Sequence, residues 1–148
     1  MHTSNKFLLA GLSAVMIFFG CAKNSNTNNT TATSGYVDVT IDLSLPQNTK
    51  LNPVSGSLFY PAGLRNIIVY HKSATEFVAY DAACTYKPTT ACGPLRVDVT
   101  GLYIVDTCKN CGSKFYIVDG GVNKPPASIP LTRYQTTWDG ANLVRVFN

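Results

Sequence analysis

The stretch CKNCGSKFYIV, residues 108–118, joins two cysteines to a run of residues that favour β-structure. Cys108 and Cys111 are separated by two residues, a spacing found in zinc sites, iron–sulfur sites and redox disulfides. Gly112 and Ser113 follow directly, and glycine supplies the permissive backbone that a tight turn into a strand requires. The stretch therefore predicts a cysteine-bearing loop that leads into a β-strand.

A second cysteine-bearing segment lies upstream. Cys84 follows the β-forming run EFVAY, residues 76–80, and Cys92 comes eight residues after Cys84. Each pair of cysteines thus follows a predicted strand, since Cys108 comes after the run LYIV at residues 102–105. We expect the two loops to meet at one tip of the domain.

The rest of the folded part also predicts β-structure. In YVDVTIDLSL, residues 36–45, apolar and polar residues alternate, and this period of two places five apolar side chains on one face of a strand. Residues 64–71 and 76–80 predict a hairpin, and Asp139-Gly140 predicts a tight turn between strands at 133–138 and 143–147. The expected fold is a small all-β antiparallel sandwich or open barrel.

The two cysteine loops and the residues after them resemble the Rieske domain family, which holds a [2Fe–2S] cluster. The resemblance covers roughly residues 54–146 and includes CKNCGSKF followed by DGG at 119–121 and PPA at 125–127. In that family loop one carries Cys-x-His and loop two carries Cys-x-x-His, so that two cysteines bind one iron and two histidines the other. The resemblance implies a Rieske-like fold with Gly112 and Ser113 beside the cluster.

This chain departs from the family at the histidine positions. Tyr86 stands at the first of them and Cys111 at the second, so an ordinary centre with two histidines and two cysteines cannot form from these loops. His71, which is the only histidine beyond the first 20 residues, lies in a predicted strand, where we expect an ordinary packed side chain and not a ligand.

The cysteines of the two loops leave three alternatives open. Cys84, Cys92, Cys108 and Cys111 supply four thiolates, enough for an all-cysteine [2Fe–2S] cluster that would transfer electrons at low potential. The same four thiolates could form a closed structural zinc site. In an exported protein they could instead form two disulfides and staple a cluster-free binding or structural module.

The first 35 residues predict export and anchoring. Residues 7–20 form an apolar run with the length of a signal-peptide core, too short to span a bilayer comfortably. The run ends in Gly20-Cys21, which resembles the lipobox of bacterial lipoproteins and implies lipidation of Cys21. We therefore expect a signal peptide at 1–20, a lipidated cysteine with an Asn/Thr/Ser-rich tether at 21–35, and a β domain at 36–148.

Composition excludes several functions. Only 14% of the 148 residues are charged, and the net charge of +4 is scattered, so nothing indicates nucleic-acid binding. With one histidine in the folded part we expect an electron carrier or a non-catalytic domain and not an enzyme. Asp106 and the other acids near strand ends are expected to be solvated or to cap turns. The expected location is the bacterial cell envelope, on the periplasmic side of the outer membrane, with an unknown redox or envelope protein as partner.

Overall fold

The computed structural model describes residues 35–88, 93–109 and 111–148. A 3₁₀ helix, Pro46–Leu51, follows the first strand. The strands are β1 Asp38–Asp42, β2 Ser57–Tyr60, β3 Ile67–Ser73, β4 Glu76–Asp81, β5 Arg96–Val97, β6 Tyr103–Val105, β7 Lys114–Tyr116, β8 Val122–Lys124, β9 Arg133–Trp138 and β10 Leu143–Phe147.

The strands form two antiparallel sheets. The larger sheet has the order β1-β10-β9-β4-β3-β2, and the smaller one has the order β5-β6-β7-β8. The all-β fold predicted from the sequence is therefore confirmed, with antiparallel strands in a curled, half-barrel sheet.

The central strands β3 and β4 are covered on both faces. Side chains from one face pack with the small sheet in a core that contains Ile68, Tyr70, Val78, Tyr80, Ile104 and Phe115. Side chains from the opposite face pack in a second core that contains Ile67, Val69, Phe77, Ala79, Val144 and Val146. Burial on both faces explains why β3 begins with a continuous apolar run, IIVY, instead of an alternating one.

The predicted hairpin at Asp139-Gly140 is confirmed. β9 and β10 pair in antiparallel register, and Gly140 adopts a φ of +82°, which glycine tolerates without a steric penalty. The Asp139 carboxylate accepts hydrogen bonds from the backbone N–H groups of Ala141 at 2.8 Å and Leu143 at 3.0 Å. The turn thus satisfies its own backbone donors.

The first strand is shorter than the sequence predicts. The alternating run at 36–45 gives a strand only over Asp38–Asp42, and Leu45 is exposed. The Asp42 carboxylate accepts hydrogen bonds from both the backbone N–H and the hydroxyl of Ser44, and this local turn directs the chain into the 3₁₀ helix. Local side-chain bonding therefore ends the strand before the apolar pattern does.

The small sheet is an excursion from the large one. β4 and β9 are hydrogen-bonded neighbours, with Tyr80 opposite Arg133, although the whole small sheet lies between them in sequence. Both cysteine-bearing loops belong to this excursion, which explains how they reach a common tip. No helix among the described residues is long and apolar enough to cross a membrane.

Candidate functional site

Loop one, which follows β4 and contains Cys84, is hydrogen-bonded to the core at its first residues. The Asp81 carboxylate accepts a hydrogen bond from the backbone N–H of Ala83 at 2.8 Å. The backbone N–H of Ala82 donates to the Asn66 carbonyl at 2.9 Å, and the Ala82 carbonyl accepts a hydrogen bond from the Leu95 N–H at 2.7 Å. Cys84 follows with 8% of its surface exposed. The root of loop one is thus rigid, and it presents the Cys84 side chain at the edge of the core between the sheets.

Loop two is closed by hydrogen bonds across its base. The backbone N–H of Asp106 donates to the Ser113 carbonyl at 2.9 Å, and the Asp106 carboxylate accepts from the Cys108 N–H at 2.8 Å. Cys111 donates its N–H to the Cys108 carbonyl at 3.1 Å, and Gly112 has a φ of +67°. These contacts form a tight turn that places Cys111 opposite loop one.

The two loops meet through sulfur. Cys84 Sγ lies 3.5 Å from Cys111 Sγ, and Cys111 Sγ lies 3.2 Å from Ser113 Oγ. Ser113 Oγ also accepts a hydrogen bond from the backbone N–H of Ala127 at 2.9 Å. Since its oxygen is already an acceptor, the Ser113 hydroxyl hydrogen is available to donate to the Cys111 sulfur.

The cysteines of the two loops are in different chemical states. Cys84 and Cys111 are free thiols, whereas Cys108 is disulfide-bonded. Cys92 lies outside the described residues. Burial raises the pKa of the Cys84 thiol to about 12, and hydrogen bonds to Asp106 and Cys111 also raise it. The structure therefore brings two of the four predicted thiols together and holds a third in a disulfide.

Asp106 joins the thiol pair and was missed as a site residue. Its carboxylate and the sulfurs of Cys84 and Cys111 all lie within 4.8 Å of one another. Asp106 does cap a turn, as the sequence predicts, but it is only 7% exposed and is not a solvated acid. The one sequence signal was its position directly after the β6 run and two residues before a cysteine. These three side chains could hold a metal ion.

Tyr86 and His71, which the sequence analysis also considered, lie in different surroundings. Tyr86 is 43% exposed, and the Lys87 ammonium lies 5.1 Å from the centre of its ring. His71 is buried in the other core, where its ring stacks on Phe77 with centroids 4.1 Å apart. Its Nδ1 lies 3.0 Å from the carbonyl of Asn52. His71 therefore belongs to the packing of the large sheet and not to the tip.

Replacing Ser113 with alanine is expected to lower the free energy of unfolding by about 1–3 kcal/mol, because it leaves the buried Ala127 N–H without its acceptor. Urea titration of wild type and variant in the same redox state measures the difference. A Ser44→Ala variant is the control, since that hydroxyl bonds Asp42 at an exposed turn. Equal losses in the two variants would contradict the structural role assigned to Ser113.

Comparison with known proteins supports the fold. No family model matches the chain, and no curated protein matches it. A solved structure does match: the plasma membrane Rieske protein PetC3 of the cyanobacterium Synechocystis PCC 6803. The superposition has a TM-score of 0.51, covers 72% of this chain and 97% of that one, and has 20% sequence identity. This likeness establishes a Rieske-like fold.

Proposed function

We propose that this chain is a lipid-anchored domain of the bacterial envelope that exchanges electrons through sulfur at its loop tip. The observation that carries the proposal is the 3.5 Å distance between Cys84 Sγ and Cys111 Sγ. A disulfide has an S–S bond of about 2.05 Å, so the two sulfurs need to approach by roughly 1.5 Å, which small side-chain rotations provide. The pair is therefore placed to interconvert between two thiols and one disulfide.

The exposure of the two thiols indicates which one reacts first with a partner protein. Cys111 is partly exposed, whereas Cys84 is 8% exposed. The Cys111 thiolate therefore attacks a disulfide of a partner protein and forms a mixed disulfide, which releases one partner thiol. Cys84 then attacks the Cys111 sulfur, closes the Cys84–Cys111 disulfide and releases the second partner thiol. Two electrons and two protons pass from the pair to the partner disulfide, and the reverse sequence reduces the pair again.

The proposed location follows from the amino-terminal sequence. Residues 1–34 lie outside the described residues, and the lipid on Cys21 remains a prediction from the apolar run and the residues that end it. A tether of about 14 residues spans roughly 20 Å, which would let the domain stand away from the bilayer. We place the domain on the periplasmic side of the outer membrane, where an envelope protein is the redox partner.

The test uses the full-length lipoprotein, extracted in mild detergent and equilibrated in glutathione buffers of increasing oxidation. After acid quenching, alkylation and mass spectrometry count the free thiols and detect the Cys84–Cys111 cross-linked peptide. We expect the two thiols to disappear together. In a Cys84→Ser variant, Cys111 should accumulate as a mixed disulfide with glutathione. A chain whose Cys84 and Cys111 stay alkylatable in every buffer would overturn the proposal.

A second candidate is a cluster-free module stapled by permanent disulfides. The disulfide of Cys108 favours it. In this alternative the Cys84–Cys111 disulfide, once formed, resists reduction, with a potential below about −300 mV. The glutathione titration distinguishes the two candidates, because only a reversible pair opens within the range of such buffers.

The all-cysteine iron–sulfur centre, one of the three alternatives that the sequence leaves open, requires a different redox state of the tip. A two-iron cluster needs four protein ligands, and the described free side chains supply two thiols and one carboxylate. With Cys108 in a disulfide the described residues do not fit this cluster, and no step of the proposed redox cycle runs through it. The four-thiolate cluster stays a prediction, checked by iron and acid-labile sulfide analysis of protein purified without oxygen.

A further inference from the structure

The reduced tip has the geometry of a site for a single metal ion. Cys84, Asp106 and Cys111 offer two sulfurs and a carboxylate oxygen, all within 4.8 Å of one another. Cys84 and Asp106 are almost fully buried, while Cys111 is partly exposed. The group thus places a buried acidic side chain next to two sulfur atoms at the edge of a mainly apolar core.

The distance between the two sulfurs is close to that of two thiolates bound to the same metal ion. A tetrahedral ion about 2.3 Å from each sulfur holds two sulfurs roughly 3.8 Å apart. The observed separation is 3.5 Å. The two thiols therefore need to move by only a few tenths of an ångström to bind the same ion.

Hydrogen bonds already orient the ligands. One carboxylate oxygen of Asp106 accepts from the Cys108 N–H at 2.8 Å, and Ser113 Oγ contacts Cys111 Sγ at 3.2 Å. Outer contacts of this kind fix metal-ligating side chains in place and strengthen binding. The loops thus hold the three groups in one arrangement without requiring the ion to assemble them.

We propose that Cys84, Cys111 and Asp106 bind one Zn²⁺ ion, with a fourth position left for water. Two thiolates and a carboxylate suit a borderline-soft divalent ion, and the partly exposed Cys111 places the fourth position toward solvent. The inference rests on the proposed function, because only the reduced pair has free thiols. Formation of the Cys84–Cys111 disulfide removes both sulfur ligands and releases the ion.

The test is a titration of the reduced full-length protein with Co²⁺ in the absence of oxygen, followed by Zn²⁺ competition. Tetrahedral Co²⁺ with thiolate ligands gives sulfur-to-metal charge-transfer bands that Zn²⁺ abolishes. We expect one Co²⁺ per chain. An Asp106→Asn variant should bind at least about tenfold more weakly, and Cys111→Ser should lose the charge-transfer intensity of one sulfur.

The matched control is Asp98→Asn. Asp98 also follows a strand and accepts turn hydrogen bonds, including one from Thr100 at 2.7 Å, but it does not belong to the thiol group. Its affinity for Co²⁺ should equal that of wild type. Circular dichroism confirms that each variant is folded before titration. If Asp106→Asn does not fold, Cys111→Ser still tests the site.

The outcomes separate this inference from the proposed function. Absence of charge-transfer bands in a chain that cycles between thiols and disulfide overturns the metal site and leaves the redox proposal standing. One Co²⁺ per chain in a protein that never forms the disulfide supports the metal site and overturns the redox proposal. Equal affinity of wild type and Asp106→Asn overturns the role of the carboxylate and thus the three-ligand site.

Discussion

Replacing Asp81 with alanine is expected to lower the free energy of unfolding by at least about 3 kcal/mol, because each of three donors left without an acceptor costs about 1–3 kcal/mol. The Asp81 carboxylate is 2% exposed and accepts three hydrogen bonds. The donors are the backbone N–H groups of Leu64 at 2.7 Å and Ala83 at 2.8 Å, and the Tyr134 hydroxyl at 2.7 Å. Alanine leaves all three donors without this acceptor.

Chemical denaturation in one fixed redox state measures this loss. Tyr134→Phe removes one of the three donors along with its hydroxyl, so its loss should be a fraction of that caused by Asp81→Ala. Asp38→Ala is the surface control, since Asp38 pairs with Arg145 at 2.8 Å in an exposed position, where such pairs contribute about 0–1 kcal/mol. A loss in Asp81→Ala no larger than that in Asp38→Ala would contradict the role assigned to Asp81.

The Asp81 substitution should also reach the loop tip. Asp81 holds the N–H of Ala83, one residue before Cys84, so alanine at 81 frees the root of loop one. We expect Cys84 to be alkylated faster in Asp81→Ala than in wild type at a denaturant concentration where both remain folded. This rate reports a local opening that global stability alone would not reveal.

Replacing Phe115 with alanine is expected to lower the free energy of unfolding by about 3–5 kcal/mol, the range for a large aromatic side chain removed from a packed core. Phe115 is fully buried between the two sheets and stands opposite Ile104 in the small sheet. It lies two residues after Ser113, so the cavity opens directly beneath loop two.

The neighbouring position provides a matched control. Tyr116 is an aromatic residue in the same strand, but it is 42% exposed and points away from the core. Tyr116→Ala should cost less than about 1 kcal/mol, as for most surface substitutions. Urea unfolding curves with equal slopes would show that the difference lies in stability and not in the compactness of the unfolded chain. Similar losses for the two variants would place the core on the wrong face of β7.

Strand patterns predicted most of the fold because each is a local property. The hairpin at Asp139-Gly140 depends on two turn residues and the alternating runs beside them, all within one short segment. The strands β2, β5 and β8 were not predicted, because their sequences SLFY, RV and VNK are too short to show the alternation that marks a strand. For strands this short the tertiary context outweighs intrinsic preference.

The sequence likewise predicted part of the candidate site and missed the rest. The spacing of Cys108 and Cys111 and the position of Cys84 after a strand predicted that two loops would meet at a tip, and their sulfurs do meet. Sequence could not assign which thiols pair, because pairing depends on distances across space and four cysteines allow three pairings. Asp106 was missed because its burial results from the closure of loop two over it, and a carboxylate after a strand more often faces water.

The route of the chain through the large sheet has a consequence for how such a domain changes over evolutionary time. Residues 82–132 leave β4 and return to β9 at adjacent points, where Asp81 donates its N–H to the Thr132 carbonyl at 2.9 Å. Neighbouring antiparallel strands are about 5 Å apart, a gap that a short hairpin turn bridges. Residues 82–132 thus form an insertion between two neighbouring strands of the six-stranded sheet. We expect that another insertion can replace this one, provided that it also covers the apolar face of β3 and β4. Changes to residues of the tip therefore leave the strand order of the large sheet intact, so we expect the tip to tolerate sequence change better than the strands that carry it.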